Sequence, residues 1–255
     1  MQCTILGVGA YSNVYQVGNR AYKPFDLVSP SIKTDQMIQF DASKRCLRDA
    51  NSPLGRNVSV ETIRLDGERV EAISMPYKPG TLSLDKRADW LKPSRVRLAG
   101  LAGWLGDTIH ELRRCGLIML DFKMSNIIAD PDTGALDLCD WDSLATENDA
   151  TAIFNELSPI PRGTYDPFCC EHPATYAVET LRYAMTFSAA ITVSVAYFGR
   201  HPQLARPLNA IDFCKRHRAV VTLLTTALGD CPTWFSMPPH LVELLDERGF
   251  FDDEQ

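Results

Sequence analysis

The stretch that decides the fold is MLDFKMSNII at residues 119–128, followed by LCDWD at residues 138–142. Three polar residues stand at set intervals between its apolar runs: Asp121, then Asn126 five residues on, then Asp140. Aspartate and asparagine are common in turns because their side chains cap their own backbone. That explanation accounts for any one of the three residues but not for their order and spacing together. The pattern therefore indicates a polar site.

This pattern resembles the catalytic loop and metal-binding turn of the eukaryotic-type protein kinases. Asp121 and Asn126 match the aspartate and asparagine of H-R-D-L-x-x-x-N, and Asp140 stands where the aspartate of D-F-G belongs. The resemblance implies that Asp121 approaches a substrate hydroxyl, while Asn126 and Asp140 hold Mg²⁺ between the phosphate oxygens of ATP. Lys123 corresponds to the lysine with which Ser/Thr protein kinases neutralise the transferring phosphoryl group.

The N-terminal segment fits the same resemblance. GVGAYSNV at residues 7–14 has the form G-x-G-x-x-S-x-V, in which missing side chains let backbone N–H groups approach phosphate oxygens. Lys23, in the segment AYK, takes the place of the V-A-I-K lysine, and a buried lysine there needs anionic partners. Taken singly, the two features also fit an ordinary turn and a surface lysine. The candidate ATP-binding residues of this segment are Gly7, Val8, Gly9, Ser12, Val14 and Lys23.

The acidic partner of Lys23 departs from the kinase pattern, because kinases use a helical glutamate and no glutamate precedes Glu61. An aspartate must serve if the pair exists. Asp41, inside the predicted helix, is our choice, and Asp35 and Asp49 are its competitors.

A further candidate comes from GTYDPFCCE at residues 163–171, which resembles the G-T-x-x-Y-x-A-P-E end of an activation segment. Gly163, Thr164 and Glu171 are in register. The resemblance makes Thr164 a candidate catalytic residue beside the catalytic aspartate.

The order of predicted elements indicates an α+β fold of two lobes, as in the protein kinases. Residues 2–25 alternate β-prone runs with turns, residues 31–50 have helical spacing, and two strands flank Asp66-Gly67. After the break at 78–80, helices are predicted at 95–114, 178–199, 208–228 and 239–247. The predicted organisation is a β-rich N-lobe at 1–75, a hinge at 76–82 and a helical C-lobe at 83–255.

The predicted hinge supplies the adenine contacts that the resemblance implies. Met75 takes the gatekeeper position of the kinase hinge. The main chain of Pro76 can only accept a hydrogen bond, because proline has no N–H. The Pro76 carbonyl and the Lys78 N–H are therefore the expected partners of adenine.

Composition limits the alternatives. A net charge of -6 argues against nucleic-acid binding, and the eight cysteines lack zinc-type spacing and are interpreted as reduced thiols. No secretory signal is visible, so a cytoplasmic protein is expected. The uncharged stretch at 183–199 is short for a membrane span and is predicted to be a buried helix.

The most specific hypothesis is a compact Ser/Thr protein kinase that uses ATP and Mg²⁺, similar to small bacterial effector kinases. Its partners would be a protein substrate and an activating protein, and delivery into a host cell follows from that analogy alone. Asp140-Trp141-Asp142 keeps a small-molecule kinase open, because such kinases often have D-x-D in this turn. Ser12, Leu120 and Asp142 depart from the kinase pattern and keep a nucleotide-binding pseudokinase open.

Overall fold

The computed structural model describes residues 4–8, 13–25, 30–87, 95–119, 121–130, 132–156 and 175–198. The protein is a mixed α+β fold that begins with an antiparallel sheet. Five strands, β1 (Thr4–Val8), β2 (Asn13–Val17), β3 (Arg20–Pro24), β4 (Ser59–Leu65) and β5 (Glu68–Pro76), form it in the order β1-β2-β3-β5-β4. Helix α1 (Pro30–Asp49) connects β3 to β4. The predicted order of three strands, one helix and two strands is confirmed.

The described residues after β5 include three α-helices: α2 (Arg95–Arg114), α3 (Glu147–Glu156) and α4 (Val178–Phe198). The same part of the chain forms two small antiparallel sheets. One pairs β7 (Leu117–Met119) with β10 (Leu144–Thr146), and the other has β6 (Leu82–Ser83), β8 (Ile127–Ala129) and β9 (Leu136–Leu138). The predicted helices at 95–114 and 178–199 are confirmed, whereas those at 208–228 and 239–247 lie outside the described residues.

Local chemistry explains where α1 and the β4–β5 hairpin end. Asn51 follows α1 with a φ of 50°, and the Ser52 N–H donates to the Leu47 carbonyl at 2.8 Å. A left-handed residue with this bond closes a helix by satisfying its last carbonyls. Asp66 and Gly67 turn β4 into β5 with φ values of 51° and 91°, and aspartate followed by glycine adopts such angles readily.

Helix α4 packs inside the domain. Its buried apolar side chains include Leu181 and Met185, and its buried Thr186 and Thr192 donate hydroxyl hydrogen bonds to carbonyls one turn earlier. These internal bonds satisfy the buried hydroxyl groups of the uncharged stretch that begins at residue 183. Among the described residues, no helix is long and apolar enough to cross a membrane.

Candidate functional site

The small sheets bring two polar segments together: the 121–126 loop between β7 and β8, and the 139–143 turn between β9 and β10. Strands β8 and β9 pair with Ile127 opposite Leu138, and the Cys139 N–H donates to the Asn126 carbonyl at 3.1 Å. This bond extends the ladder by one step. Asn126 and Asp140, which lie far apart in the sequence, therefore become neighbours where the hairpin opens.

Asn126 connects the two segments through its side-chain amide. Its Nδ2 lies 2.9 Å from Asp121 Oδ2, 2.9 Å from the Asp121 carbonyl oxygen and 3.1 Å from Asp140 Oδ2. Asn126 itself is buried. The three residues selected from the sequence thus meet at one point, and the amide fixes the separation of the two carboxylates.

Two lysines and Asp142 complete the group, which we name the lysine–aspartate network: Lys23, Asp121, Lys123, Asn126, Asp140 and Asp142. Lys123 Nζ lies 2.5 Å from Asp121 Oδ2. From β3, Lys23 Nζ lies 2.5 Å from Asp140 Oδ1 and 2.6 Å from Asp142 Oδ1. Two lysines and three aspartates leave the network with a formal charge of -1, which suits it to receive a cation.

The pKa shifts in the network follow from burial and from the shared lysine. Burial works against the charged form of Lys23, but Asp142 and Asp140 overcome this effect and raise its pKa above the usual value. Burial, and then the charge of Asp140, raise the pKa of Asp142. One ammonium group therefore compensates two carboxylates incompletely.

The buried side chain of Trp141 anchors the 139–143 turn. Its ring is buried, and its indole N–H donates to the Leu138 carbonyl at 2.9 Å. Gly55, with a φ of 60°, lies against the ring so closely that a Cβ there would be 2.9 Å from Trp141 Cζ3. Glycine is needed here both for the backbone angle and for space. The anchored tryptophan holds Asp140 and Asp142 on the side of Lys23.

The structure does not place Asp41 beside Lys23, and this corrects the prediction from the sequence. Asp41 is exposed, whereas Gln39 of the same helix donates to the Leu144 carbonyl at 2.7 Å. Two residues along a helix correspond to a rotation of about 200°, so the two side chains lie on opposite faces. The carboxylate that joins Asp140 at Lys23 is Asp142 from the 139–143 turn.

Gln39 and Asp142 therefore belong to the site, although the sequence did not predict either of them as a site residue. Gln39 Nε2 also lies 3.4 Å from the Asp142 carbonyl, and Ser43 one turn later donates to the Leu144 carbonyl at 3.2 Å. The sequence signals for Asp142 were its departure from glycine and the D-x-D pattern that it forms with Asp140. For Gln39 no signal existed, because an acidic residue was sought.

Helix α4 supports the 121–126 loop. Thr192 Oγ1 lies 3.2 Å from the carbonyl of Phe122, whose side chain is fully buried. Phe122 stands between Asp121 and Lys123 in the chain. The hydroxyl therefore holds the backbone that carries both charged side chains.

The predicted nucleotide-binding residues lie on the first sheet where they are described. Gly7 and Val8 on β1 pair with Val14 and Asn13 on β2, with a register shift between Ile5 and Gly7. Gly9 and Ser12 lie outside the described residues, as does Thr164. Their roles stay predictions.

The predicted hinge begins at the end of β5. Met75 is buried and Pro76 is exposed, while Lys78 Nζ lies 3.1 Å from Asp130 Oδ2 and 2.9 Å from Asp132 Oδ2. Lys78 thus joins the end of β5 to the β8–β9 turn. The expected adenine bonds of the Pro76 carbonyl and the Lys78 N–H stay predictions.

The donor set of the network suits Mg²⁺, which prefers oxygen ligands and keeps several of its own waters. Asp140 offers carboxylate oxygens as metal ligands. The Asn126 Nδ2 group donates hydrogen bonds to the two aspartates, so the amide oxygen Oδ1 is the atom that could bind a metal. Within the described ranges, no group of three or more His, Cys, Asp or Glu side chains is placed to hold a metal ion. Phosphate oxygens and water would have to supply the remaining ligands.

No protein-family model matches the sequence, and neither does any curated protein. The function must therefore be inferred from the geometry and charge of the site.

Proposed function

We propose that this protein is an ATP- and Mg²⁺-dependent kinase that transfers a phosphoryl group to a protein Ser or Thr hydroxyl. The observation that carries the proposal is the convergence of Lys23, Asp140, Asn126, Asp121 and Lys123 in one hydrogen-bonded network. These residues come from three separate segments, and each was selected for this chemistry from its sequence pattern. A set of unrelated surface ion pairs would not be expected to unite all five.

Each member of the network has a role that its position permits. Asp140 and the Asn126 amide oxygen would hold Mg²⁺, which supplies charge neutralisation between phosphate oxygens. Lys23, held between two carboxylates, is placed to exchange one of them for a phosphate oxygen. Asp121 would accept the proton of the substrate hydroxyl, and Lys123 beside it would stabilise the charge on the transferring group.

The element order supports a protein-kinase-like fold with two lobes. A five-stranded sheet with one inserted helix precedes a helical part, and the network lies where β3 of the first part faces the 121–126 loop and the 139–143 turn of the second. In such an arrangement, ATP would lie in the cleft between the parts, with its adenine against residues 75–78.

A small-molecule kinase of the same fold is the second candidate, and Asp142 favours it. Its carboxylate joins that of Asp140 at Lys23, so the D-x-D pair acts as a unit in this turn. Lys123 beside Asp121 favours the protein kinase instead. The two candidates share the chemistry and differ in the acceptor.

The test is incubation with labelled ATP and Mg²⁺, using a mixed protein lysate in one arm and a panel of small alcohols and amino sugars in the other. Labelled protein is expected in the first arm. Because catalysis here depends on positioning and charge neutralisation, Asp121→Ala, Asp140→Asn and Lys23→Met should each lower the rate by roughly 10²-fold or more.

The matched control is Asp107→Asn, since Asp107 is exposed on α2 away from the network, and it should keep the wild-type rate. Circular dichroism of every variant would establish that the fold is intact. Near-normal transfer by Asp121→Ala would contradict the proposal.

A further inference from the structure

A cavity of about 580 Å³ lies at the C-terminal end of α1, beside the 51–58 turn that leads to β4. We name it the α1 cavity. Its volume falls within the range of roughly 300 to 1,000 Å³ that is typical of small-molecule sites. It is separate from the lysine–aspartate network, because Asp41, which lines it, projects from the helix face opposite to Gln39.

The lining of the α1 cavity is strongly cationic. Lys44, Arg45, Arg48 and Arg56 contribute four positive charges, and Asp41 contributes one negative charge. This local excess is opposite in sign to the net charge of -6 of the whole chain. A positive cavity on an acidic protein is an unfavourable concentration of like charge that an anionic ligand would relieve.

Two of the four cations of the cavity, Lys44 and Arg56, bond to main-chain carbonyls. Lys44 Nζ donates to the Gly55 carbonyl, and Arg56 Nε donates to the Ser52 carbonyl at 3.1 Å. Burial lowers the pKa of Lys44. Arg48 lies 3.3 Å from Asp49, but both side chains are largely exposed, so this pair is weak. Lys44 and Arg56 are therefore held in position by main-chain carbonyls, whereas Arg45 and Arg48 are exposed beside them.

We propose that the α1 cavity binds a small polyanion that carries several phosphate groups. Arginine suits such a ligand because its planar guanidinium can donate two parallel hydrogen bonds to one phosphate group. Four cations around one volume match several phosphates better than a single carboxylate. This site is additional to the proposed phosphoryl-transfer site and does not depend on it.

Occupancy of the α1 cavity would also act on the 139–143 turn. The 51–58 turn that forms one wall contains Gly55, which accepts from Lys44 and packs against the Trp141 ring. A polyanion bridging Arg45, Arg48 and Arg56 would hold this turn against α1. Amide hydrogen exchange in residues 51–58 should therefore slow when the ligand binds.

Calorimetric titration with tripolyphosphate and with inositol hexakisphosphate tests the proposal. Wild-type protein should bind at least one of them, and added salt should weaken the binding because the contacts are charged. The double variant Arg45→Glu, Arg48→Glu removes two cations and adds two anions. It should bind about 100-fold more weakly or worse, as expected when two hydrogen bonds between charged groups are lost.

The matched control is Arg64→Glu with Arg69→Glu, an exposed pair of arginines opposite each other on β4 and β5. It makes the same change in net charge outside the cavity and should keep the wild-type affinity. If the Arg45→Glu, Arg48→Glu protein does not fold, Arg45→Gln with Arg48→Gln replaces it. This variant should also bind the polyanion more weakly than wild-type protein.

Lys23→Met distinguishes this site from the proposed ATP site and should leave polyanion binding unchanged. Binding that is lost in Lys23→Met but kept in the Arg45 and Arg48 double variant would overturn the proposal, and so would the absence of binding by wild-type protein. Absence of kinase activity would not contradict the proposed polyanion site, because the titration needs no phosphoryl transfer.

Discussion

Asp142 stands where the resemblance to protein kinases requires glycine, yet its backbone is unstrained. It lies in the short 3-10 helix Trp141–Ser143, and only Asn51 and Asp66 have a positive φ among the described non-glycine residues. The consequence of Asp142 is therefore electrostatic. Its carboxylate shares Lys23 with Asp140, and its pKa is raised by burial and by that neighbour.

We expect this shift to make stability depend on pH. Because folded Asp142 holds its proton more tightly than the unfolded chain does, the free energy of unfolding falls as pH rises from about 3.9, the ordinary aspartate pKa, through the raised value. Asp142→Asn has no carboxyl group at this position, so its free energy of unfolding should not fall for this reason. Urea unfolding of both proteins in EDTA, from pH 4 to pH 8, should show wild-type protein losing stability relative to Asp142→Asn. A relative gain by wild-type protein would show that Lys23 compensates both carboxylates fully.

At the scale of elements, α4 holds the 121–126 loop through one hydroxyl. The Thr192 hydroxyl is shared between the Phe122 carbonyl at 3.2 Å and the Ser188 carbonyl of its own helix at 2.9 Å, while the Thr186 hydroxyl donates to the Arg182 carbonyl of its own helix. The Met119 nitrogen also lies 3.3 Å from Met185 Sδ. Helix α4 therefore contacts the chain just before Asp121, at Met119, and just after it, at Phe122. The position of Asp121 therefore depends on how α4 packs.

Thr192→Val tests this dependence because valine keeps the shape of threonine and removes the hydroxyl. The buried Phe122 carbonyl would lose a donor, which should cost about 1 to 3 kcal/mol in the free energy of unfolding. Phosphoryl transfer by the folded fraction should fall as well, since Asp121 and Lys123 flank Phe122.

Thr186→Val is the matched control, with the same chemical change on the same helix. It should alter transfer by the folded protein far less than Thr192→Val does. Equal effects of the two variants on the rate would mean that α4 contributes only general stability.

At the scale of the molecule, one hydrophobic core joins the first sheet to the helical part. Buried residues run without interruption from Phe25 and Phe40 through Trp141 to Met185. The lysine–aspartate network lies across the same junction, because Lys23 belongs to β3 and its partners follow β9. A ligand bound by both sides of the network should stabilise the whole fold.

Thermal unfolding with Mg²⁺ and ATP tests this expectation. A ligand that binds only the folded state raises the free energy of unfolding by about 2.7 kcal/mol at 100 times its Kd. Mg²⁺ with ATP should therefore raise Tm, and ATP in EDTA should raise it less. Lys23→Met should lose most of the increase. An equal increase in wild-type protein and Lys23→Met would place the nucleotide away from the network.

Part of the fold could not be predicted because its signals are short. Strands of two or three residues, such as Leu82–Ser83 and Leu117–Met119, contain too few residues for an alternating pattern. Helix α3 did have a signal: Thr146 Oγ1 accepts a hydrogen bond from the Asp149 N–H at 3.2 Å, and the Thr146 hydroxyl donates to Asp149 Oδ2 at 2.7 Å. This capping arrangement is visible as Thr-x-x-Asp in the sequence.

The sequence by itself determined the features that depend on neighbouring residues. These are the helices α1, α2 and α4, the Asp66-Gly67 turn, and the order of Asp121, Asn126 and Asp140. Only the tertiary structure decided which carboxylate meets Lys23. The rotation of α1 about its axis is set by its docking on Leu144, and this turns Gln39 inward and Asp41 outward. Helical periodicity specifies which residues share a face, but the direction in which that face points depends on packing against residues about 100 positions away.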